Sequence, residues 1–227
     1  FDIPTLCHHE ALEPSGACRL CLVEVWPHGW SLDEPGKLVT SCLFPAAFGL
    51  VVRTDSERVR QARSIAFELL LARTPRSREL AELAARFGVT RTRFRPTASE
   101  DDCILCGLCT RLCEHLGHVA IATVGRGTAK EVAPPLHQPP EACVGCGGCA
   151  RICPTRTIPM KETPWQREIW GRSFGIVPCE KCGRGHLTRE QILFFSARTG
   201  LDASYFRLCD ECSRQETVGR MAANLMG

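Results

Sequence analysis

This chain has no long hydrophobic run. Its longest apolar stretch, "IAFELLLA" at 65–72, is interrupted by Glu68 and falls far short of the roughly 20 apolar residues needed to cross a bilayer. No membrane span is therefore expected. Charge of one sign is lacking too: 28 Lys and Arg against 25 Asp and Glu leave a net +3, spread along the chain. Nothing in that balance indicates nucleic acid or a membrane surface as a partner. The opening "FDIPTLCHHE" has neither the basic start nor the apolar stretch of a secretory leader, which reads as a cytoplasmic protein with reduced thiols. There is no phosphate-cradling G-x-G-x-x-G, no flavin or nicotinamide motif, and no recognisable Ser–His–Asp set. The sequence offers no catalytic constellation.

Cysteine is what the chain has in excess, 16 in 227 residues, and such density means disulfides or metals. The thiols come in C-x2-C units, and the chain is well beyond mini-protein size, which favours metals. They fall into four groups with quiet segments between. That pattern suggests small metal-stapled modules joined by helices, since small cores commonly need such staples.

The second and third groups are near copies. C-x2-C-x2-C-x3-C occurs at Cys103, Cys106, Cys109 and Cys113, and again at Cys143, Cys146, Cys149 and Cys153, the latter followed by Pro154. This is the run of a bacterial two-cluster ferredoxin, in which the fourth cysteine of each run serves the other cluster. One [4Fe–4S] is thus expected on Cys103, Cys106, Cys109 and Cys153, and a second on Cys143, Cys146, Cys149 and Cys113. The fourth cysteine is expected to start a helix leading away from its own triplet. Gly107, Gly145, Gly147 and Gly148 are expected to let backbone N–H groups approach the sulfurs. Zinc would call for separated pairs rather than triplets. Between the copies "HVAIATVGRG" reads as strand and turn, and "APPLHQPPEAC" as a proline-rich loop.

The first group, Cys7, Cys18, Cys21 and Cys42, sits among short Val- and Leu-rich segments at 20–26, 37–42 and 49–54 that read as strands separated by turns. One cysteine, then a close pair, then a distant fourth is the logic of a plant-type [2Fe–2S] loop. His8 and His9 lack the paired C-x-H spacing of a Rieske site and read as non-ligands. From 54 to 88 there is no cysteine. Thr54 and Glu57 suggest a capping box, followed by helical spacing of Val59, Ala62, Ala66, Leu69 and Leu70. A second helix should begin near Ser77 and end at Gly88.

The fourth group is two separated pairs, Cys179/Cys182 and Cys209/Cys212. Gly183 is expected to allow N–H···S contacts in a knuckle, with a capped helix from Thr188 to Gly200 between the pairs. Separated pairs suit one structural zinc, and a third [4Fe–4S] is the alternative.

In "IPTLCHHE", "GACRLCLVEV" and "TSC" the first group resembles the ferredoxin-like entry domain of the large iron–sulfur subunit of NADH dehydrogenase, and the diaphorase iron–sulfur subunit of NAD-reducing hydrogenases. The resemblance covers roughly residues 1 to 165. It implies an α+β protein: a β-grasp [2Fe–2S] domain over 1–54, a helical linker over 55–98, and a two-[4Fe–4S] ferredoxin-like domain over 99–165. A zinc-ribbon-like module over 166–227 lies outside it. "FDIPTLC" reads as the exit from a helix, about 30 residues into a whole β-grasp domain. Members of the NADH dehydrogenase type commonly carry a further His- and Cys-ligated cluster after the first helix, which "RTPRSRELAELAARFG" at 73–88, with no Cys and no His, could not supply. The implied function is single-electron relay, in a hetero-oligomer, between a flavin- and NAD(P)-linked subunit and a hydrogenase or formate dehydrogenase subunit. A structural adaptor and a free ferredoxin-like carrier are the competing readings; mild positive charge and the extra modules speak against the carrier.

Overall fold

Val and Leu at alternating positions make Leu22–Trp26 (β1) a strand, pairing antiparallel with Lys37–Thr40 (β2) on one side and Val51–Arg53 (β3) on the other. The sheet belongs to a computed structural model that describes residues 2–97 and 101–225. Val23, Val25 and Trp26 are buried, and so, unusually for a carboxylate, is Glu24. Its oxygens accept from Ser56 Oγ at 2.6 Å, the Gly36 N–H at 3.1 Å and the Arg58 guanidinium. Burial alone would raise its pKa, but Ser56 and Arg58 together hold it below the usual carboxylate range.

That anchor sets the start of helix Glu57–Arg73 (α1). The cap is Ser56, whose hydroxyl accepts the Val59 N–H at 3.3 Å, and not the Thr54 box suggested by the sequence. Ser56 wins because one hydroxyl both caps the helix and binds Glu24. The buried stripe is Val59, Arg63 and Phe67, whereas Leu69 stands half exposed. Arg63 can be buried because its guanidinium donates twice to the Leu22 carbonyl, at 3.1 and 2.6 Å. Helix Arg78–Arg86 (α2) is capped by Ser77 as expected and closes at Gly88, with φ +79°. These helices are more than spacers. Phe67, Leu80 and Ala84 join Cys7, Cys18 and Cys106 in one apolar cluster, so the linker walls both the first and the second cysteine group.

In the doubled region Leu108–His115 (α3) packs on Gly148–Ile152 (α4). Ala122–Val124 (β4) pairs with Glu131–Ala133 (β5), a partner the sequence did not suggest. Next comes an antiparallel meander: Met160–Glu162 (β6), Gln166–Ile169 (β7), Arg172–Pro178 (β8) and Gly185–Thr188 (β9). None of these four strands was read from the sequence. Burial alternates along β7 and β8, but one inward position is Arg167, which breaks the apolar alternation by which strands are read. This sheet runs across residue 165 and joins the doubled region to the C-terminal segment. Arg189–Thr199 (α5) has the expected Thr188–Gln191 capping box and Gly200 cap, and Asp210–Leu225 (α6) ends the described chain. No described helix is long and apolar enough to cross a membrane.

Candidate cluster and metal centres

Each copy of the doubled motif is a tight loop feeding a helix. Gly107 and Gly147, both at φ +71°, are the N-cap residues of α3 and α4. Cys109 and Cys149 therefore lie in first helical turns. Cys113 follows one turn later, and Cys153 caps α4 just before Pro154. This corrects the expected order: the helix precedes the fourth cysteine, because the left-handed glycine starts it before the third. The eight thiols divide between two cavities. One is lined by Cys103, Cys106, Cys109 and Cys153, the other by Cys113, Cys143, Cys146 and Cys149.

N–H groups converge on these sulfurs. Leu105 donates to Cys103 Sγ at 3.4 Å, Gly145 to Cys143 at 3.5 Å, Ala120 to Cys113 at 3.2 Å, and the Trp170 indole to Cys149 at 3.3 Å. Of the four glycines proposed for this task only Gly145 supplies such a contact; Gly107 and Gly147 cap helices, and the bare Gly148 leaves room for Leu112. Leu105 occupies the position equivalent to Gly145 with φ +51°. A side chain is excluded at Gly145, where a Cβ would lie 2.4 Å from the Phe174 ring.

Arginines hold the loop backbones. Arg73 donates to the Cys103 carbonyl at 2.8 Å, Arg167 to Gly145 at 2.6 Å, and Arg172 to Cys143 at 2.7 Å. Their positive charge beside thiolates is favourable. Burial pushes the bare thiols up, Cys106 and Cys149 to about 11 and Cys109 to about 12. Cys103 and Cys143 also rise by burial, with Arg73 and Arg172 pulling the other way. Occupancy by a cation must therefore displace protons.

In the first group Cys7, Cys18 and Cys21 are buried and Cys42 is half-buried. The Cys18 N–H donates to Cys7 Sγ at 3.4 Å, and Cys21 and Cys42 sulfurs are 3.4 Å apart. The Cys18 thiol is the main cause holding Cys7 down at about 5, and the same contact, with burial, raises Cys18. Burial, then Cys21, raises Cys42 to about 11. Arg111, on α3 between Cys109 and Cys113, reaches the Cys7 carbonyl at 3.0 Å and that of Glu13 at 2.6 Å. One side chain thus ties the first loop to the doubled motif. His8 and His9 are exposed, and His9 Nδ1 accepts the Ala11 N–H at 3.2 Å.

The fourth group is built differently. Cys179 and Cys182 come just after β8, while Cys209 and Cys212 straddle the start of α6. All four sulfurs lie within 4.8 Å of one another, and among the described residues no other such donor group occurs. Cys182 and Cys209 sulfurs are 3.8 Å apart. The Gly183 N–H goes to the Cys179 carbonyl at 2.8 Å and not to sulfur; the Cys179 sulfur instead accepts from the Cys209 N–H at 3.3 Å. That backbone donor brings Cys179 down to about 6, and burial carries Cys212 up to about 12. Arg184 approaches Cys209 Sγ at 3.7 Å and pairs with Glu211 at 2.6 Å.

Residues 1–57 match the family model of a 2Fe-2S iron-sulfur cluster binding domain, and residues 97–160 that of a 4Fe-4S dicluster domain. The chain joins a 2Fe-2S domain to a 4Fe-4S dicluster domain. The first match contains the first group and the second contains both copies of the doubled motif; the fourth group lies outside both. NADP-reducing hydrogenase subunit HndD of Solidesulfovibrio fructosivorans is 32% identical over 197 residues, 73% of this chain and 32% of that protein. The mitochondrial NADH-ubiquinone oxidoreductase 78 kDa subunit of Candida albicans is 28% identical over 194 residues, 74% of this chain and 26% of that protein. NADPH-Fe(3+) oxidoreductase subunit alpha of Geobacter sulfurreducens is 30% identical over 209 residues, spanning 82% of this chain and 24% of that protein. The chain thus spans about a quarter to a third of the length of these curated relatives. The match over 82% of this chain is more than residues 1–165 could supply, so the similarity reaches past the limit set from motifs alone.

Around the dicluster domain, sequence reading missed Arg73, Arg167 and Arg172, which grip its loops, and Trp170, which donates to Cys149. In the 2Fe-2S domain it missed the contact from Arg111. No spacing rule marks an arginine that serves a loop far away in the chain. Gly171, directly after Trp170, was the one local sign of a turn, and the structure gives both residues positive φ.

Proposed function

We propose that this chain is an electron-relay subunit, carrying one [2Fe–2S] on Cys7, Cys18, Cys21 and Cys42 and two [4Fe–4S] clusters with crossed ligands in the dicluster domain. The observation that carries this reading is the shared core: Cys7 and Cys18 of the first group and Cys106 of the second belong to one buried apolar cluster. When bound, such clusters supply one-electron redox chemistry. The protein's own part is to keep the thiols dry, aim N–H groups at the sulfurs and hold the loops with arginines. The two cavities, each with three thiols from one copy and one from the other, support the crossed assignment. The proposed domains are 1–54, 55–98, 99–165 and 166–227, the first a β-grasp unit and the last a ribbon-like zinc module. A ribbon sets both pairs on hairpins, so the second pair at the head of a helix is a variant of it.

Zinc at the fourth group is supported by size. A tetrahedron of thiolates with bonds of about 2.3 Å has edges of about 3.8 Å, the spacing found between Cys182 and Cys209. The relatives' names include NADH- and NADPH-linked oxidoreductase subunits and a hydrogenase subunit; the partners we propose are a flavin- and NAD(P)-linked subunit on one side, and a hydrogenase or formate dehydrogenase subunit on the other. Sixteen cysteines without a disulfide suit a reducing compartment such as the cytoplasm. Potentiometric titration with EPR tests the relay. Three clusters that reduce and reoxidise reversibly are expected. Clusters that never change oxidation state would instead support the structural adaptor, with the zinc knuckle as its docking element.

A further inference from the structure

Trp170 stands just past the dicluster domain, against its cysteine cavities, without being a ligand. It occupies the first position of the two-residue turn between β7 and β8 at φ +53°, followed by Gly171 at φ +72°. Such a turn ordinarily takes Asn, Asp or Gly at its first position, and a bulky side chain held there is worth a functional question. The β7–β8 register, with Ile169 opposite Arg172, leaves the turn no slack. The indole is half-buried and lines both cysteine cavities. Its N–H can only donate, and it donates to Cys149 Sγ at 3.3 Å. The equivalent thiol of the other copy, Cys109, has no side-chain donor among the described residues. The two otherwise repeated sites are therefore chemically unequal at this point.

We infer that Trp170 is a positioning residue whose indole N–H···S bond to Cys149 raises the reduction potential of the cluster held by Cys113, Cys143, Cys146 and Cys149, while leaving its neighbour unaffected. The inference rests on the reading that both cavities hold [4Fe–4S] clusters. A donor at a ligand sulfur withdraws electron density and stabilises the more negative, reduced state. A turn locked by its register keeps the donor aimed through changes of oxidation state. The asymmetry would order the two sites, making the second an easier place for an electron to rest.

The test compares full-length wild type with Trp170→Phe, which keeps a ring and removes the N–H, by iron analysis and EPR-monitored potentiometric titration. One midpoint should fall by about tenfold in the reduction equilibrium, which is 59 mV for one electron; the other should hold. The cluster that moves should be the one whose signal Cys113→Ser alters. One exchangeable-proton coupling of that cluster in ENDOR, that of the indole N–H, should vanish in the variant, while those of the Gly145 and Ala120 N–H groups remain. Replacing Trp170 with benzothienylalanine, which has sulfur in place of the N–H in a ring of the same shape, should reproduce the shift and so separate it from repacking. Full iron content with no midpoint shift, or equal shifts in both clusters, overturns the inference alone. Wild type lacking cubane iron overturns the underlying reading and the inference with it.

Discussion

The C-terminal four-thiol group and the doubled motif use the same residue and the same C-x2-C unit to build opposite geometries. At 179–212 the sulfurs converge to within 4.8 Å, leaving room for a single ion. In the doubled motif the sulfurs instead surround two cavities, each completed by a thiol from the other copy. Gly107, Gly147 and Gly183 all follow a C-x2-C pair in the left-handed conformation, so the difference lies in what the chain forms after that glycine. A left-handed glycine after the second cysteine of each triplet starts a helix at once, carrying the next thiols around a wall. The knuckle at Cys179 turns back into a hairpin, and its partner pair arrives from a separate helix. A module that closes on one ion should stand or fall with it, whereas a pair of interlocked sites should fail selectively.

The largest effect should come from breaking the converging site. Cys209→Ser should remove about one zinc per chain and leave about ten irons. It should also melt 179–225 at far lower temperature, since structural zinc carries on the order of 10 kcal/mol of folding free energy. Metal analysis beside calorimetry decides it; loss of four irons with no zinc would move the site to the cluster class. Zinc retention should weaken as pH falls. The metal-free Cys212 thiol titrates near 12, so its binding as thiolate releases a proton, and acid drives that exchange backwards.

The interlock is broken next. Cys113→Ser should damage the cluster at Cys143, Cys146 and Cys149 and spare the first more nearly, and Cys153→Ser should do the reverse, each followed by EPR on soluble protein. If Cys113→Ser instead alters the cluster at Cys103, Cys106 and Cys109, the crossing is wrong.

A smaller effect should separate the two copies. Gly145→Ala places a methyl against the Phe174 ring at positive φ, and should cost about 2–3 kcal/mol. Leu105→Gly relieves a strained backbone, of order 1 kcal/mol, while losing a half-buried side chain, so its melting point should change little. Equal losses in thermal melts would show that the copies do not differ as described.

The smallest effect lies outside both regions and serves as their control. Glu24→Gln should cost about 1–2 kcal/mol, because one partner, Arg58, is half exposed and screened. Glu24 has a depressed folded pKa. Its contribution is therefore complete above the unfolded value of about 4.3 and is lost as pH falls through the folded one. A urea series from pH 6 to 3 should show that acid-side loss reduced in the variant and unrelated to metal content.

The four groups of cysteines were legible because thiol spacing is local chemistry: a C-x2-C turn places two sulfurs together whatever surrounds it. The Ser77 cap and the Thr188–Gln191 box could be read for the same reason, as each depends on three or four consecutive residues. Ser56 was misassigned because its partner, Glu24, lies 32 residues away. Strands β6 to β8 were missed because Arg167 takes an inward position that only the distant Gly145 carbonyl and Glu162 make tolerable. The sequence by itself determined how many cysteines there are, how they are spaced and that thiol chemistry is available at four places in the chain. Only the tertiary structure decided that Arg111 joins two domains, that Trp170 faces Cys149 and that the last four thiols close on a point. Those outcomes depend on which surfaces pack together, and packing is settled by the shape of the whole core, which no short stretch of chain contains.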